Sequence, residues 1–148
     1  MSPAAAMKFL TIHCTATPEG RHHTAGEVNK WDIARFGCIS YHWVVDLDGK
    51  AERSLDDQHI GAHVRGHNTG NIGLCYVGGL DRNMKAKDTR TEAQRKSLRE
   101  IVAAYRRKYP GIEVKGHRDW SPDLDGDGVI EPNEWVKSCP CFDVQTEL

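Results

Sequence analysis

No apolar run in the chain is long enough to cross a membrane as a helix, which excludes a helical membrane-spanning protein and membrane insertion by that route. An excess of one charge is also missing. There are 20 Lys and Arg against 21 Asp and Glu, a formal net charge of -1, so no strongly basic face for nucleic acid is expected. The first residues, Met1 to Met7, are small but lack a basic region followed by an apolar core, and they do not read as a secretory signal. Residues 1–6 are expected to be a flexible lead into a folded part that starts at Met7. A protein made in the cytoplasm follows, reaching any outside target only after release or export. The 5 cysteines are an odd number, and Cys14 and Cys75 sit in strand-like settings, which argues against a disulfide framework. Cys14, Cys38 and Cys75 therefore read as buried, reduced thiols. Repeats and linkers are absent, and 148 residues suit one domain with a real core.

What is present alternates between strand and helix patterns. Lys8 to Cys14 is rich in apolar and β-branched residues and reads as a buried strand. If Cys14 points into the core, His13 points to the other face. Thr24 and Glu27 are spaced as a capping box for a helix running to about Arg35, with Val28, Trp31 and Ile33 or Arg35 facing the sheet and Gly37 ending it. Tyr41 to Asp46 reads as a strand with Tyr41, Trp43 and Val45 on one face and His42 and Val44 on the other. Asp48-Gly49 turns it into a hairpin with Ala51 to Ser54. Leu55 to Gly70 is a long connection holding His59, His63 and His67, and connections of that length are often functional. Asn71 to Val77 reads as a central strand whose Gly73 marks a close approach. Leu80 to Arg90 reads as a surface loop. Thr91 and Gln94 open a second helix with an apolar stripe of Leu98, Ile101, Val102 and Tyr105, stopped by Pro110-Gly111. Ile112 to Gly116 is a short strand that delivers His117. The order β-α-β-β-β-α-β implies a single α/β domain with a central mixed sheet flanked by helices.

The chemistry gathers on the segment Lys137-Ser138-Cys139-Pro140-Cys141-Phe142-Asp143 and on two strand ends. His13 and His117 lie at the C-terminal ends of predicted strands, where open α/β sheets place their sites. With Cys139 they offer two imidazoles and a thiolate, a donor set for zinc with one position left to water. The three are dispersed in sequence, and histidines are common on surfaces and in cores, so chemistry alone leaves both readings open.

Six ordered motifs add to this. They are Ile12-His13-Cys14-Thr15-Ala16-Thr17; Tyr41-His42-Trp43; Gly61-Ala62-His63 with Gly66-His67-Asn68; Asn71-Ile72-Gly73; Gly116-His117-Arg118-Asp119; and Lys137-Ser138-Cys139-Pro140. Together they resemble the zinc-dependent N-acetylmuramoyl-L-alanine amidase family, which includes phage amidase-type lysozymes and peptidoglycan recognition proteins. The resemblance runs from about Met7 to Asp143. It implies an amidase/peptidoglycan-recognition-like fold, zinc held by His13, His117 and Cys139, and catalytic roles for Tyr41 and Lys137. It further implies substrate contacts from His63 and Asn68. Arg118 and Asp119 would orient His117 or meet peptide carboxylates, and His22, His23, His42 and His59 would be surface or structural residues. The implied reaction is hydrolysis of the amide between N-acetylmuramic acid and L-alanine. The implied partner is bacterial cell-wall peptidoglycan, met by a monomer with no nucleic-acid role. Without the resemblance, Tyr41 reads as a ring packed beside Trp43 and Lys137 as a solvated cation.

One segment departs from shorter members of that family. Asp123 to Glu134 matches a calcium-loop pattern, inserted into an amidase domain spanning residues 7–148. Asp123, Asp125, Asp127, the Val129 carbonyl, Glu131 and Glu134 would be the oxygen donors, with a solvated acidic loop as the alternative. Two other functions remain in view at this level: a peptidoglycan-binding module that does not cut, and a structural metal-binding interaction protein.

Overall fold

The computed structural model describes residues 7–121 and 138–148; residues 1–6, the calcium pattern at 123–134 and Lys137 lie outside the described residues. The described chain builds a five-stranded mixed sheet in the order β4-β3-β5-β1-β7. β1 (Phe9–Cys14) is flanked by β5 (Asn71–Tyr76) and β7 (Glu113–Gly116), both parallel to it. β3 (Trp43–Val45) runs parallel to β5, and β4 (Ala51–Arg53) closes that edge as the antiparallel hairpin partner of β3. A second, two-stranded sheet pairs β2 (Thr17–Pro18) with β6 (Gly79–Leu80). The helices are α1 (Ala25–Phe36), α2 (Glu92–Lys108) and α3 (Val144–Glu147).

Local chemistry accounts for the helix ends. Thr24 accepts from the Glu27 N–H while Glu27 reaches back to the Thr24 N–H, and Thr91 and Gln94 do the same for α2. Gly37 ends α1 in the left-handed region, with φ of 79°.

The two faces of the sheet are distinct. Leu10, Ile12, Ile72, Leu74, Tyr76 and Val45 pack with Leu98, Val102 and Tyr105 of α2 and with Phe142 and Val144. Each of these large side chains contributes about 1.5–3 kcal/mol by leaving water. The other face is smaller: Val44, Cys75 and Val77 meet Ala25 and Val28 of α1. His13 stands opposite Cys75, and Cys75 opposite Val44, so His13 belongs to this second face. That leaves room above it for the 55–70 connection.

Several expectations need correction. Trp31 and Ile33 are exposed rather than packed on the sheet, and only Ala25 and Val28 of α1 are buried. Regular strand begins at Trp43, so Tyr41 escapes the alternation and packs against the smaller cluster of Val44, Cys75 and Val77, while Trp43 packs against the larger core. Cys38 is exposed, not buried. Arg90 is buried at the end of the supposed surface loop, paired with Asp88 and Glu147 and lying over the Phe142 ring. Gln94 is also buried, its Nε2 donating to the carbonyls of Val45 and Val77 and so fastening α2 to the end of β3 and to the residue just after β5.

Candidate metal centre

Three segments converge beyond the C-terminal ends of β1 and β7. His13 is the penultimate residue of β1 and only 1% exposed. Ile12 stands opposite Gly116 in the β1–β7 register, and the next residues along, His13 and His117, have ring centroids 4.6 Å apart. His117 opens a 3-10 turn (His117–Trp120), held at its start by Asp119 Oδ2, which accepts the Gly116 N–H at 2.7 Å. Cys139 is brought in from the C-terminal segment by main-chain bonds. The Arg118 N–H donates to its carbonyl at 2.8 Å, and the Cys14 N–H donates to its Sγ at 3.1 Å. One donor atom from each of His13, His117 and Cys139 lies within 4.8 Å of the other two. Cys14 itself stays protonated, because its hydrogen bond with Cys139, together with burial, raises its pKa.

Around this group the side chains are tightly held. His63 Nδ1 lies 2.9 Å from His13 Nε2, and His63 Nε2 lies 2.9 Å from the Asn71 carbonyl. Burial pushes the His63 pKa down to about 4. The Asn68 Oδ1 accepts the N–H groups of both His63 and Val64. Both His63 and Asn68, expected as substrate contacts, therefore spend polar atoms on bonds within the protein. The Tyr41 ring stands 5.1 Å from that of His13. Burial raises its phenol well above the ordinary value, so it remains protonated.

A cavity of about 630 Å³ opens beside the group, lined among others by Phe36, His63, Arg65, His67, His117 and Trp120. Trp120 is anchored by its Nε1–H to Thr11 Oγ1 at 3.0 Å and stacks on His67 with centroids 4.6 Å apart. Phe36, 57% exposed, stands at the end of α1. Sequence reasoning missed both aromatic residues. Trp120 had a signal in its place three residues after His117. Phe36 had one as a large apolar residue just before the helix-ending Gly37.

The family model for N-acetylmuramoyl-L-alanine amidase matches residues 3–140. The chain belongs to the N-acetylmuramoyl-L-alanine amidase family. Among similar sequences, an uncharacterised protein of Haemophilus influenzae is 47% identical over 102 residues, covering 69% of this chain and 88% of its own. The endolysin of Enterobacteria phage T3 is 30% identical over 144 residues, covering 97% of this chain and 86% of the endolysin. Among solved structures, the Ph2119 endolysin of a Thermus scotoductus bacteriophage superposes with a TM-score of 0.70 at 19% identity, covering 93% of this chain and 79% of that one. The N-acetylmuramoyl-L-alanine amidase LysC from Clostridium intestinale gives 0.67 at 19% identity, over 92% and 77% of the two chains. At these identities the structural likeness speaks for the amidase fold, a mixed sheet flanked by helices. Among the described residues of this amidase, no helix is long and apolar enough to cross a membrane.

Proposed function

We propose that the chain is a peptidoglycan hydrolase that cuts the amide between N-acetylmuramic acid and the L-alanine of the stem peptide. The supporting observation is the convergence of His13, His117 and Cys139 beside an open cleft, in a chain of the amidase family. The donor set fits zinc. Two imidazoles and a sulfur suit a borderline-soft ion, and three protein donors leave a fourth position for water or substrate. His13 is held rigidly enough to serve, being buried and bonded to His63. Zinc bound there supplies Lewis acidity and an acidified water at neutral pH.

The chain's own groups do the rest. Tyr41 keeps its proton and stands beside His13, where it can donate a hydrogen bond to the scissile carbonyl or pass a proton toward the leaving amine. Lys137, two residues before Cys139 in sequence, supplies the cation for a developing oxyanion. The cleft wall of Phe36, His67 and Trp120 offers apolar faces to a sugar or peptide, and Arg65 a charge for a stem carboxylate. The substrate is cell-wall peptidoglycan, reached after release or export. For residues 123–134 the calcium reading is supported by the sequence pattern alone. A calorimetric titration with calcium after zinc loading tests it, and the absence of heat and of any thermal shift counts against it.

The deciding experiment is digestion of purified sacculi followed by mass spectrometry. New L-alanine amino termini on stem peptides are expected, and Cys139→Ser is expected to lose at least a hundredfold in rate together with its zinc. New reducing sugar ends would instead mean a glycosidase. Binding to sacculi with no cleavage and no zinc would mean a recognition module.

A further inference from the structure

His63 reaches the site from a loop, not from a strand. The residue is only 7% exposed, although it lies on the wall of the cleft. The ring is held on several sides. Its Nε2 faces the main-chain carbonyl of Asn71 at 2.9 Å, and a carbonyl only accepts, so Nε2 carries the hydrogen. Its backbone is pinned by Asn68 Oδ1. Its flat side rests on Gly73, where a Cβ would come within 2.9 Å of two ring atoms. Asn71 is in turn fixed, its Oδ1 accepting from Thr11 and its Nδ2 donating to the His67 carbonyl.

With Nε2 protonated, a neutral His63 presents a lone pair at Nδ1. That atom lies 2.9 Å from His13 Nε2, so His13 Nε2 must carry the hydrogen of this bond. We infer that His63 is a positioning residue: it accepts the His13 Nε2–H, fixes the tautomer and tilt of that ring, and so assigns His13 Nδ1 to the metal. The inference rests on the zinc reading above and deepens it. The order of donation is His13 Nε2–H to His63 Nδ1, then His63 Nε2–H to the Asn71 carbonyl. A relay that ends on a main-chain carbonyl holds the ring without adding charge to the site. Partners of this type commonly change metal affinity by about 10–100-fold when removed.

Two variants and two readouts test this. In His63→Asn the amide oxygen can stand where Nδ1 stood and accept the same hydrogen; in His63→Leu nothing can. Zinc affinity, measured by competition with a chromophoric chelator, is expected to fall about 10–100-fold in His63→Leu and to recover most of that loss in His63→Asn. Long-range ¹H–¹⁵N spectra of the metal-free wild type are expected to show His13 protonated at Nε2, with a tautomer mixture in His63→Leu. Wild-type affinity in the leucine variant would overturn the inference, and so would equal losses in both variants. A defect confined to KM with zinc affinity intact would return His63 to the role of substrate contact. Should the leucine variant fail to fold, the wild-type spectrum still decides, because His13 protonated at Nδ1 would refute the relay. Failure of the wild type to bind zinc at all would overturn the zinc reading instead, and the nitrogen shifts would report on the hydrogen bond separately.

Discussion

His42 is fully buried, and its two ring nitrogens are committed. Nδ1 accepts the Gly73 N–H at 3.0 Å, and Nε2 donates to the His59 carbonyl at 2.7 Å. Only the neutral ring can do both, and burial lowers its pKa from the usual 6.5. The unfolded chain then binds the extra proton first as pH falls. Stability from this group is therefore complete above about pH 6.5 and declines as pH drops from there through the folded-state value. Thermal melts of the metal-free protein between pH 7.5 and 5 should show this slope, and His42→Gln should flatten it while lowering stability at pH 7.5. Gly73 is a second sensitive position, since an added Cβ would meet the His63 ring at 2.9 Å. Gly73→Ala is expected to cost about 1–3 kcal/mol by urea unfolding, because the ring is pinned and cannot yield cheaply.

The long 55–70 connection is kept in place by α2, through one carboxylate. Asp57 Oδ1 accepts from Arg53 and Tyr105, and Oδ2 accepts from Lys108 and Tyr109. Burial pushes this carboxyl up, but the bonds from Lys108, Tyr105 and Tyr109 more than offset it, and the net pKa is lowered. Asp57→Asn removes the charge and some of these bonds, and is expected to destabilise by about 2 kcal/mol at pH 7. The sign with pH is the reverse of a basic group's gain. The carboxylate stabilises above its unfolded value of about 3.9 and loses that effect as pH falls through the lower folded value, so wild type and variant should converge in acid. Equal destabilisation at pH 7 and in strong acid would show that the charge is not what holds the loop. Helix and hairpin boundaries were largely legible, because capping boxes and the Asp48-Gly49 turn act over three or four residues. The tie between Asp57 and α2 was not, since its partners in α2 lie about fifty residues away in sequence.

At the scale of the molecule, the proposed metal joins the end of β1, the start of the 3-10 turn and the C-terminal segment. A ligand bound only by the folded state stabilises it, by about 2.7 kcal/mol at a hundredfold excess over Kd. Zinc should therefore raise the melting temperature of the wild type, and Cys139→Ser should abolish that rise; an equal rise in both would place the ion elsewhere. By itself the sequence determined the helix caps, the strand that carries His13 near its C-terminal end, the strand that delivers His117, and the motif order that marks an amidase. Those features are local or are carried by residue type. Tertiary structure decided the rest. It turned Tyr41 away from Trp43, because regular strand begins only at Trp43 and the period of two does not reach back to residue 41. It left Trp31 and Ile33 on the surface, because α1 meets only a small sheet face. And it chose His63, from a connection with no period to read, as the partner of His13 across fifty residues of chain. That choice depends on a missing side chain at Gly73 and a carbonyl at Asn71, neither of which shows its purpose until the sheet is assembled.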